Sequence, residues 1–409
     1  MAEQRTIDTN KTVFGVLIAI SFAHFLNDMM QSVIPSIYPL LKENYGFTFG
    51  QIGVITLVYQ MTACILQPFV GRYADRHPLP FSLSVGMLFT LAGILLVAFA
   101  NNFGLIVLAV GVVGWGSSVF HPESSRIAQM AAGRRKGLAQ SIFQVGGNGG
   151  SAIGPLLAAT IIIPFGQHAI AWLAIAAMIA AIVLYRVGVW YKGRIHTRVV
   201  NSPEVNEAVS RLSRGRIRGA FALLMILLFS KYFFMSCMTS YFTFFLIDKF
   251  HVDIQVSQYC LFAFLAAVAI GTIAGGQFGD KYGRKKVILW SIFGASPFAL
   301  LMPYANLTFT IILAFMAGLI IASAFSAMLV YATELKPGKV GQIAGIFFGL
   351  MFGLGGLGSA FFGWLADLTS IEFVFHISTL LPLLGIVAVW LPNIEKSSTK
   401  SLWTAKNEQ

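Results

Sequence analysis

Four polar side chains interrupt an apolar stretch near the start of the sequence: His24, Asn27, Asp28 and Gln31. At about 100° per residue of an α-helix, they share one face in a stripe roughly 100° wide. A carboxylate beside an imidazole and two amides can take up and release a proton, and an ionisable group among apolar residues is expensive to keep there. The stripe therefore predicts a proton-coupling group, with a purely structural hydrogen-bond cluster as the alternative.

A second charged group follows Pro122. Glu123 and Arg126 are three residues apart and share one helix face. The two can neutralise each other as a structural ion pair, or Glu123 can carry a proton while Arg126 holds an anion through paired hydrogen bonds. We favour the functional interpretation, because an uncharged pair would be cheaper to bury than a salt bridge. His121 is as well explained by helix packing as by proton transfer.

One lysine, Lys231, lies in the strongly apolar segment 227–234. A lone ammonium group there needs an anion or water, so it predicts an anion-binding group in addition to Arg126. Further polar side chains complete the expected substrate-binding set: Asn27, Gln31, Gln144, Asn148 and Tyr232.

These charges stand out because the chain has so few of them. Its 409 residues are 57% hydrophobic and only 11% charged, whereas soluble proteins carry about 25% charged residues. A soluble enzyme is therefore excluded, and lipid is the solvent that such a surface suits. The three cysteines have no metal-ligand spacing, and no Walker-type glycine–lysine loop is present. We expect no metal site, no ATP and no cofactor other than a proton gradient.

Apolar runs of about 20 residues, long enough to cross a bilayer as a helix, recur twelve times between residues 13 and 391. The predicted fold is an all-α polytopic membrane protein with twelve transmembrane helices. One long polar stretch divides it into an N-terminal six-helix half (1–191), a cytoplasmic linker (192–216) and a C-terminal six-helix half (217–409).

The net charge of +12 reflects 28 Lys and Arg residues against 16 Asp and Glu residues, and the positions of the basic residues indicate the membrane topology. All but four of them fit one side of the membrane if both termini are cytoplasmic. The exceptions are Lys42 and Lys249 in the opposite loops, and Arg126 and Lys231 inside spans. We therefore expect a multi-pass membrane protein with both termini in the cytoplasm. The excess of basic over acidic residues is explained by this topology and requires no nucleic acid partner.

The two halves repeat each other in sequence. The motif Gly71-x-x-x-Asp75-Arg76 recurs 205 residues later as Gly276-x-x-x-Asp280-Lys281, and Gly154 pairs with Gly358 at an offset of 204. A constant offset near half the chain length indicates an ancient duplication.

The second copy, which continues as Gly283-Arg284-Lys285, resembles the cytoplasmic loop signature of the major facilitator superfamily, whereas the first copy lacks that ending. Gly150-x-x-x-Gly154-Pro155 resembles the antiporter motif of drug–proton exchangers, and tight helix packing explains it equally well. The resemblance implies two halves that alternate access to a central site. It also implies these gating residues: Gly71, Asp75, Arg76, Gly150, Gly154, Pro155, Gly276, Asp280, Gly283 and Arg284.

Longer segments are similar to the fosmidomycin resistance family: Leu26–Ser32, Phe120–Arg126, Gly137–Asn148 and Phe229–Tyr232. The similarity extends over essentially the whole chain. It implies a bacterial inner-membrane antiporter that exports a small anionic phosphonate antibiotic in exchange for protons. On this interpretation, Arg126 and Lys231 bind the anion, and protons are carried by Asp28, Glu123, His24 and His121.

Three other functions are alternatives to export: proton-coupled uptake, a sensor or assembly role, and membrane-bound catalysis. Proton-coupled uptake of a small anionic or polar metabolite would employ the same residues, because the direction of flux is not encoded in them. A sensor or assembly protein would not need paired halves with embedded acids and bases. A membrane enzyme would need a nucleophile or metal group that the sequence does not offer. We expect a functional monomer whose partners are its small-molecule substrate, protons and the surrounding lipid.

Overall fold

The computed structural model describes residues 12–74, 77, 79–133, 136–194, 209, 212–336 and 340–394, in which helices are joined by short turns. Twelve helices in these ranges are long and apolar enough to cross a membrane, which confirms the predicted number. The first six are α1 (Phe14–Tyr45), α2 (Phe49–Tyr73), α3 (Ser82–Phe99), α4 (Phe103–Ala131), α5 (Leu138–Phe165) and α6 (Gln167–Lys192). The others are α7 (Arg214–Phe250), α8 (Ile254–Ile273), α9 (Arg284–Tyr304), α10 (Leu307–Leu335), α11 (Gln342–Leu368) and α12 (Ile371–Trp390).

Both ends of the predicted linker 192–216 belong to helices in the structure. Helix α6 ends at Lys192 and α7 begins at Arg214, where Ser213 accepts a hydrogen bond from the N–H of Arg216 as an N-cap. The start of α7 therefore falls inside the predicted linker. Residues 195–208, 210 and 211 lie outside the described part of the chain.

Proline residues explain two irregularities in the spans. Helix α1 is interrupted at Ile37, between Pro35 and Pro39. Helix α5 continues from Pro155 into a π-helical turn, Ala158–Ile162. A proline inside a helix lacks the N–H that would bond to the preceding turn, so both helices bend or rewind near it.

Glycines let α5 pack directly against α1. A side chain added at Gly150 or Gly154 would collide with the α1 backbone at Phe25 or Ser32. The second half has the matching contact, where Gly358 on α11 lies against Ser236 on α7. Both members of this pair are 204 residues beyond Gly154 and Ser32, so the two contacts occupy equivalent places in the repeated halves.

Helices α2 and α11 carry much of the contact between the halves. At one end, the Asp367 carboxylate accepts backbone hydrogen bonds from Phe49 and Gly50. At the other end, Gly345 lies against the backbone of Gln67. The two helices therefore touch near both of their ends, and a cavity lined by both polar and apolar side chains lies beside them.

Candidate functional site

A cavity of about 220 Å³ lies between the two halves. A cavity of this size can hold several water molecules or one small solute. Its walls come from α1, α2, α4 and α5 on one side and from α7, α8, α10 and α11 on the other. Eight residues predicted from the sequence line it: His24, Asp28, Gln31, His121, Gln144, Asn148, Lys231 and Tyr232.

Asp28 stands between two histidines. Its Oδ2 is 3.2 Å from His24 Nε2, and its Oδ1 is 3.7 Å from His121 Nε2. His24 Nδ1 lies 2.8 Å from the carbonyl oxygen of Phe143. Since a carbonyl oxygen only accepts hydrogen bonds, Nδ1 carries a hydrogen, and Nε2 can approach the carboxylate favourably only if one proton is shared between them. The geometry is that of a proton held by the His24–Asp28 pair.

His121 is positioned by its own helix and by α11. Its Nδ1 is 3.3 Å from the carbonyl oxygen of Ser117, one turn earlier on α4. The rings of Phe348 and Phe352 lie 5.3 and 4.9 Å from the imidazole centroid. Aromatic rings of the second half therefore pack directly against His121 of the first half.

The same three residues are the one described group whose donor atoms could hold a metal ion, lying within 4.8 Å of one another. The sequence analysis did not find this group because His121 is distant along the chain. A divalent ion bound here would be only half neutralised by the single carboxylate of Asp28. The remaining positive charge would lie in a cavity that already contains Lys231. A proton neutralises the carboxylate without that excess, so buried charge favours a proton site over a metal site.

Asp28 is also joined to α2 by a chain of hydrogen bonds. Asn27 Nδ2 donates to Asp28 Oδ1 at 2.9 Å, and Gln31 Nε2 donates to Asn27 Oδ1 at 3.1 Å. Tyr59 on α2 donates its hydroxyl hydrogen to Gln31 Oε1 and lines the cavity. Sequence analysis missed Tyr59 because a tyrosine in an apolar span is ordinary until its partner on another helix is known.

Lys231 is the cation of this cavity. Its side chain is buried, and its Nζ lies 3.3 Å from the carbonyl oxygen of Ala322 and 5.6 Å from the centroid of the Tyr232 ring. Within the described ranges, no carboxylate pairs with it. A buried ammonium group with two of its three hydrogens free for other acceptors is suited to hold an anionic substrate.

Glu123 and Arg126 form the expected ion pair, at 3.3 Å, but do not line the cavity. The Arg126 guanidinium lies 5.0 Å from the ring centroid of Tyr191 on α6, and Glu123 borders a lateral groove beside Phe69. Residues two apart on a helix point about 200° apart, so His121 faces the cavity while Glu123 faces away. Glu123, predicted to transfer protons, and Arg126, predicted to bind substrate, therefore have no direct contact with this cavity.

Asn27 also lies outside the cavity lining and is connected to it only through its hydrogen bonds with Asp28 and Gln31.

Asn148, which lines the cavity, also connects the two halves. Its side-chain amide donates to the hydroxyl of Thr272 on α8. Farther along the same interface, Gln255 Nε2 donates to the carbonyl oxygen of Ala159 at 3.0 Å. These are contacts between α5 and α8, so opening the cavity along that seam requires them to break.

The predicted gating residues occupy helix ends and helix contacts. Gly71 is buried near the end of α2. Gly283 has a φ of 96°, which favours glycine, in the turn before α9. The next residue, Arg284, pairs with Glu334 of α10 at 2.7 Å. Gly276 lies in the helix that continues from α8 to Tyr282, whereas Asp75, Arg76 and the Asp280 side chain lie outside the described residues.

Comparison with known proteins agrees with this architecture. The sequence model of the Major Facilitator Superfamily matches residues 20–263 and 224–406. The chain is 53% identical to the fosmidomycin resistance protein of Escherichia coli strain K12, over 94% of each chain. It is 38% identical, again over 94% of each, to the uncharacterized MFS-type transporter YfnC of Bacillus subtilis strain 168.

A solved structure has the same fold. The major facilitator superfamily transporter FucP in its outward conformation superposes with a TM-score of 0.66, covering 93% of this chain and 99% of FucP at 13% sequence identity. FucP is the fucose–proton symporter of E. coli. At this low identity the match shows the fold alone. Together with the sequence matches and the twelve spans, it shows that this multi-pass membrane protein is a transporter of small molecules belonging to the major facilitator superfamily.

Proposed function

We propose that this protein is a proton-coupled antiporter that exports a small anionic phosphonate of the fosmidomycin type from bacterial cells. The observation that carries the proposal is that one cavity between the halves holds both a buried cation, Lys231, and a proton-binding group, His24–Asp28–His121. The 53% identity to the E. coli fosmidomycin resistance protein supports the substrate class and the direction of transport.

The transport cycle needs no covalent chemistry. Lys231 binds the anionic head of the phosphonate by charge-assisted hydrogen bonds. Asp28 and His24 bind and release the coupling proton. The two halves, 1–191 and 217–409, rock around the cavity and expose it to each side in turn. Exchange follows if this movement occurs with the proton or with the phosphonate in the cavity, and is blocked both when neither is present and when the two are bound together.

We place both termini and the linker 192–216 on the cytoplasmic side of the inner membrane, because Lys and Arg concentrate in the corresponding connections. A green fluorescent protein fused to the C-terminus should fluoresce in cells, whereas an alkaline phosphatase fusion at the same point should be inactive. The reverse pattern would show the opposite orientation.

Proteoliposomes with an imposed pH gradient test the function directly. Radiolabelled fosmidomycin should move against the flow of protons, and an ionophore that collapses the gradient should abolish this movement. Flux that ignores the gradient contradicts the proposal, and accumulation in the direction of proton flow indicates symport instead. Expression in a fosmidomycin-sensitive strain should raise the drug concentration needed to stop growth.

A further inference from the structure

In the hydrogen-bond chain from Tyr59 to Asp28, the donor and the acceptor of each bond are fixed by the carboxylate at its end. At its inner end the Asp28 carboxylate oxygen accepts, so the Asn27 amide must present its NH₂ group there. This leaves Asn27 Oδ1 to accept from the NH₂ group of Gln31, and leaves Gln31 Oε1 to accept in turn. Within the described part of the chain, the group that donates to Gln31 Oε1 is the hydroxyl of Tyr59.

Tyr59 therefore reaches the cavity as an acceptor. Its single hydroxyl hydrogen is used by Gln31, and only lone pairs of the oxygen remain for a molecule in the cavity. Tyr59 is on α2 in the first half, whereas Lys231, which has hydrogens to donate, is on α7 in the second half.

Gln144 indicates independently that the cavity wall has a hydrogen-bond acceptor without a donor. Its side chain lines the same cavity and is 7% exposed, and its Oε1 finds no hydrogen-bond partner in the described part of the chain. A buried acceptor without a partner is costly. A ligand that brings a hydrogen-bond donor to this wall would remove that cost.

We propose that Tyr59 is a specificity-determining residue that accepts a hydrogen bond from a hydroxyl group of the substrate. The cavity then selects small molecules that combine an anionic group, held by Lys231, with a hydroxyl group, held by Tyr59. Gln31 and Asn27 are positioning residues, since they keep the Tyr59 hydrogen turned away from the substrate. This inference rests on the function proposed above and defines its substrate class more narrowly.

Two phosphonates of the same size test the inference. The probes are 3-hydroxypropylphosphonate and butylphosphonate, which differ by a hydroxyl in place of a methyl group. Their ability to displace radiolabelled fosmidomycin is measured on the purified full-length protein without a pH gradient. Wild-type protein should prefer the hydroxyl compound by about tenfold, the effect of one hydrogen bond. The variant Tyr59→Phe should reduce that preference to about twofold or less.

Tyr38→Phe is the matched control. Its hydroxyl is bound to Thr56 Oγ1 at 2.6 Å and borders the same cavity, without connection to Asp28. This variant should keep the wild-type preference, and thermal unfolding of both variants shows whether they fold. The inference is wrong if Tyr59→Phe retains the preference, or if wild-type protein binds both phosphonates equally. Wild-type protein that binds neither phosphonate overturns the proposed function as well.

Discussion

Asp367 at the end of α11 caps the start of α2, where its Oδ2 accepts a hydrogen bond from the backbone N–H of Gly50 at 2.7 Å. Its Oδ1 accepts a second bond from the N–H of Phe49 at 3.1 Å. A carboxylate on the free N–H groups of a helix start satisfies them and interacts favourably with the helix dipole. Because α2 and α11 belong to different halves, this contact must break whenever the cavity opens at that end.

The variant Asp367→Asn should favour opening at this end. An amide is neutral and offers one acceptor oxygen instead of two, so the open population should rise by about threefold, within the range of a lost helix cap. Spin labels on Asn44→Cys and Thr369→Cys, which lie on opposite halves, report that population as a longer distance in double electron–electron resonance. The exposed Asp248→Asn change on α7 is the control. Unchanged distance distributions would show that the cap does not hold the halves together.

The twelve spans could be predicted from sequence because a run of about 20 apolar residues has few other uses in a chain so poor in charge. Asp28 and Lys231 could be predicted for the related reason that an ionisable group inside such a run is rare. Both line the cavity in the structure. These predictions needed only local sequence.

The remaining features depend on how helices turn toward one another. Glu123 and Asp28 are both ionisable residues within apolar spans, so the sequence singles out both. The orientation of α4 about its axis nevertheless places His121 in the cavity and Glu123 at a lateral groove. Tyr59 was inconspicuous, and it joins the site only because α2 packs beside Gln31 on α1. Neither the rotation of a helix nor its partner can be deduced from charge and hydropathy alone.

Replacing Asp28 by Asn should separate substrate exchange from proton coupling. The asparagine oxygen can accept from Asn27, and its NH₂ group can donate to His24 Nε2, so the variant copies the protonated carboxyl group but cannot ionise. Drug–drug exchange without a gradient should persist, whereas transport driven by a pH gradient should fall at least tenfold. Asp248→Asn should behave as wild type in both assays. Full gradient-driven transport in the Asp28 variant would remove this residue from the proton path.

Replacing Lys231 by Met should weaken binding of the phosphonate. Methionine has a similar length without the charge, so affinity should fall by roughly 10- to 100-fold, as expected for loss of a hydrogen bond between charged groups. Lys249→Met, on the same helix as Lys231, is the matched control. It removes an ion pair with Glu372 of α12 and a hydrogen bond to the carbonyl oxygen of Pro303, none of which lines the cavity, so it should bind the phosphonate normally. Direct binding of labelled fosmidomycin measures the difference. Equal affinities in the two variants would mean that the anion is held elsewhere.

Gly154→Val should loosen the contact between α1 and α5. An added side chain at Gly154 meets both the backbone and the hydroxyl of Ser32, and overpacking of this kind costs about 1–3 kcal/mol. The thermal unfolding midpoint in detergent should therefore fall. Gly149→Val makes the same chemical change on the same helix, but there the added carbon meets only the Phe25 ring at ordinary contact distance, 3.6 Å. The predicted order of stability is wild type, then Gly149→Val, then Gly154→Val, and equal midpoints for the two variants would show that close packing at Gly154 is not what requires glycine there.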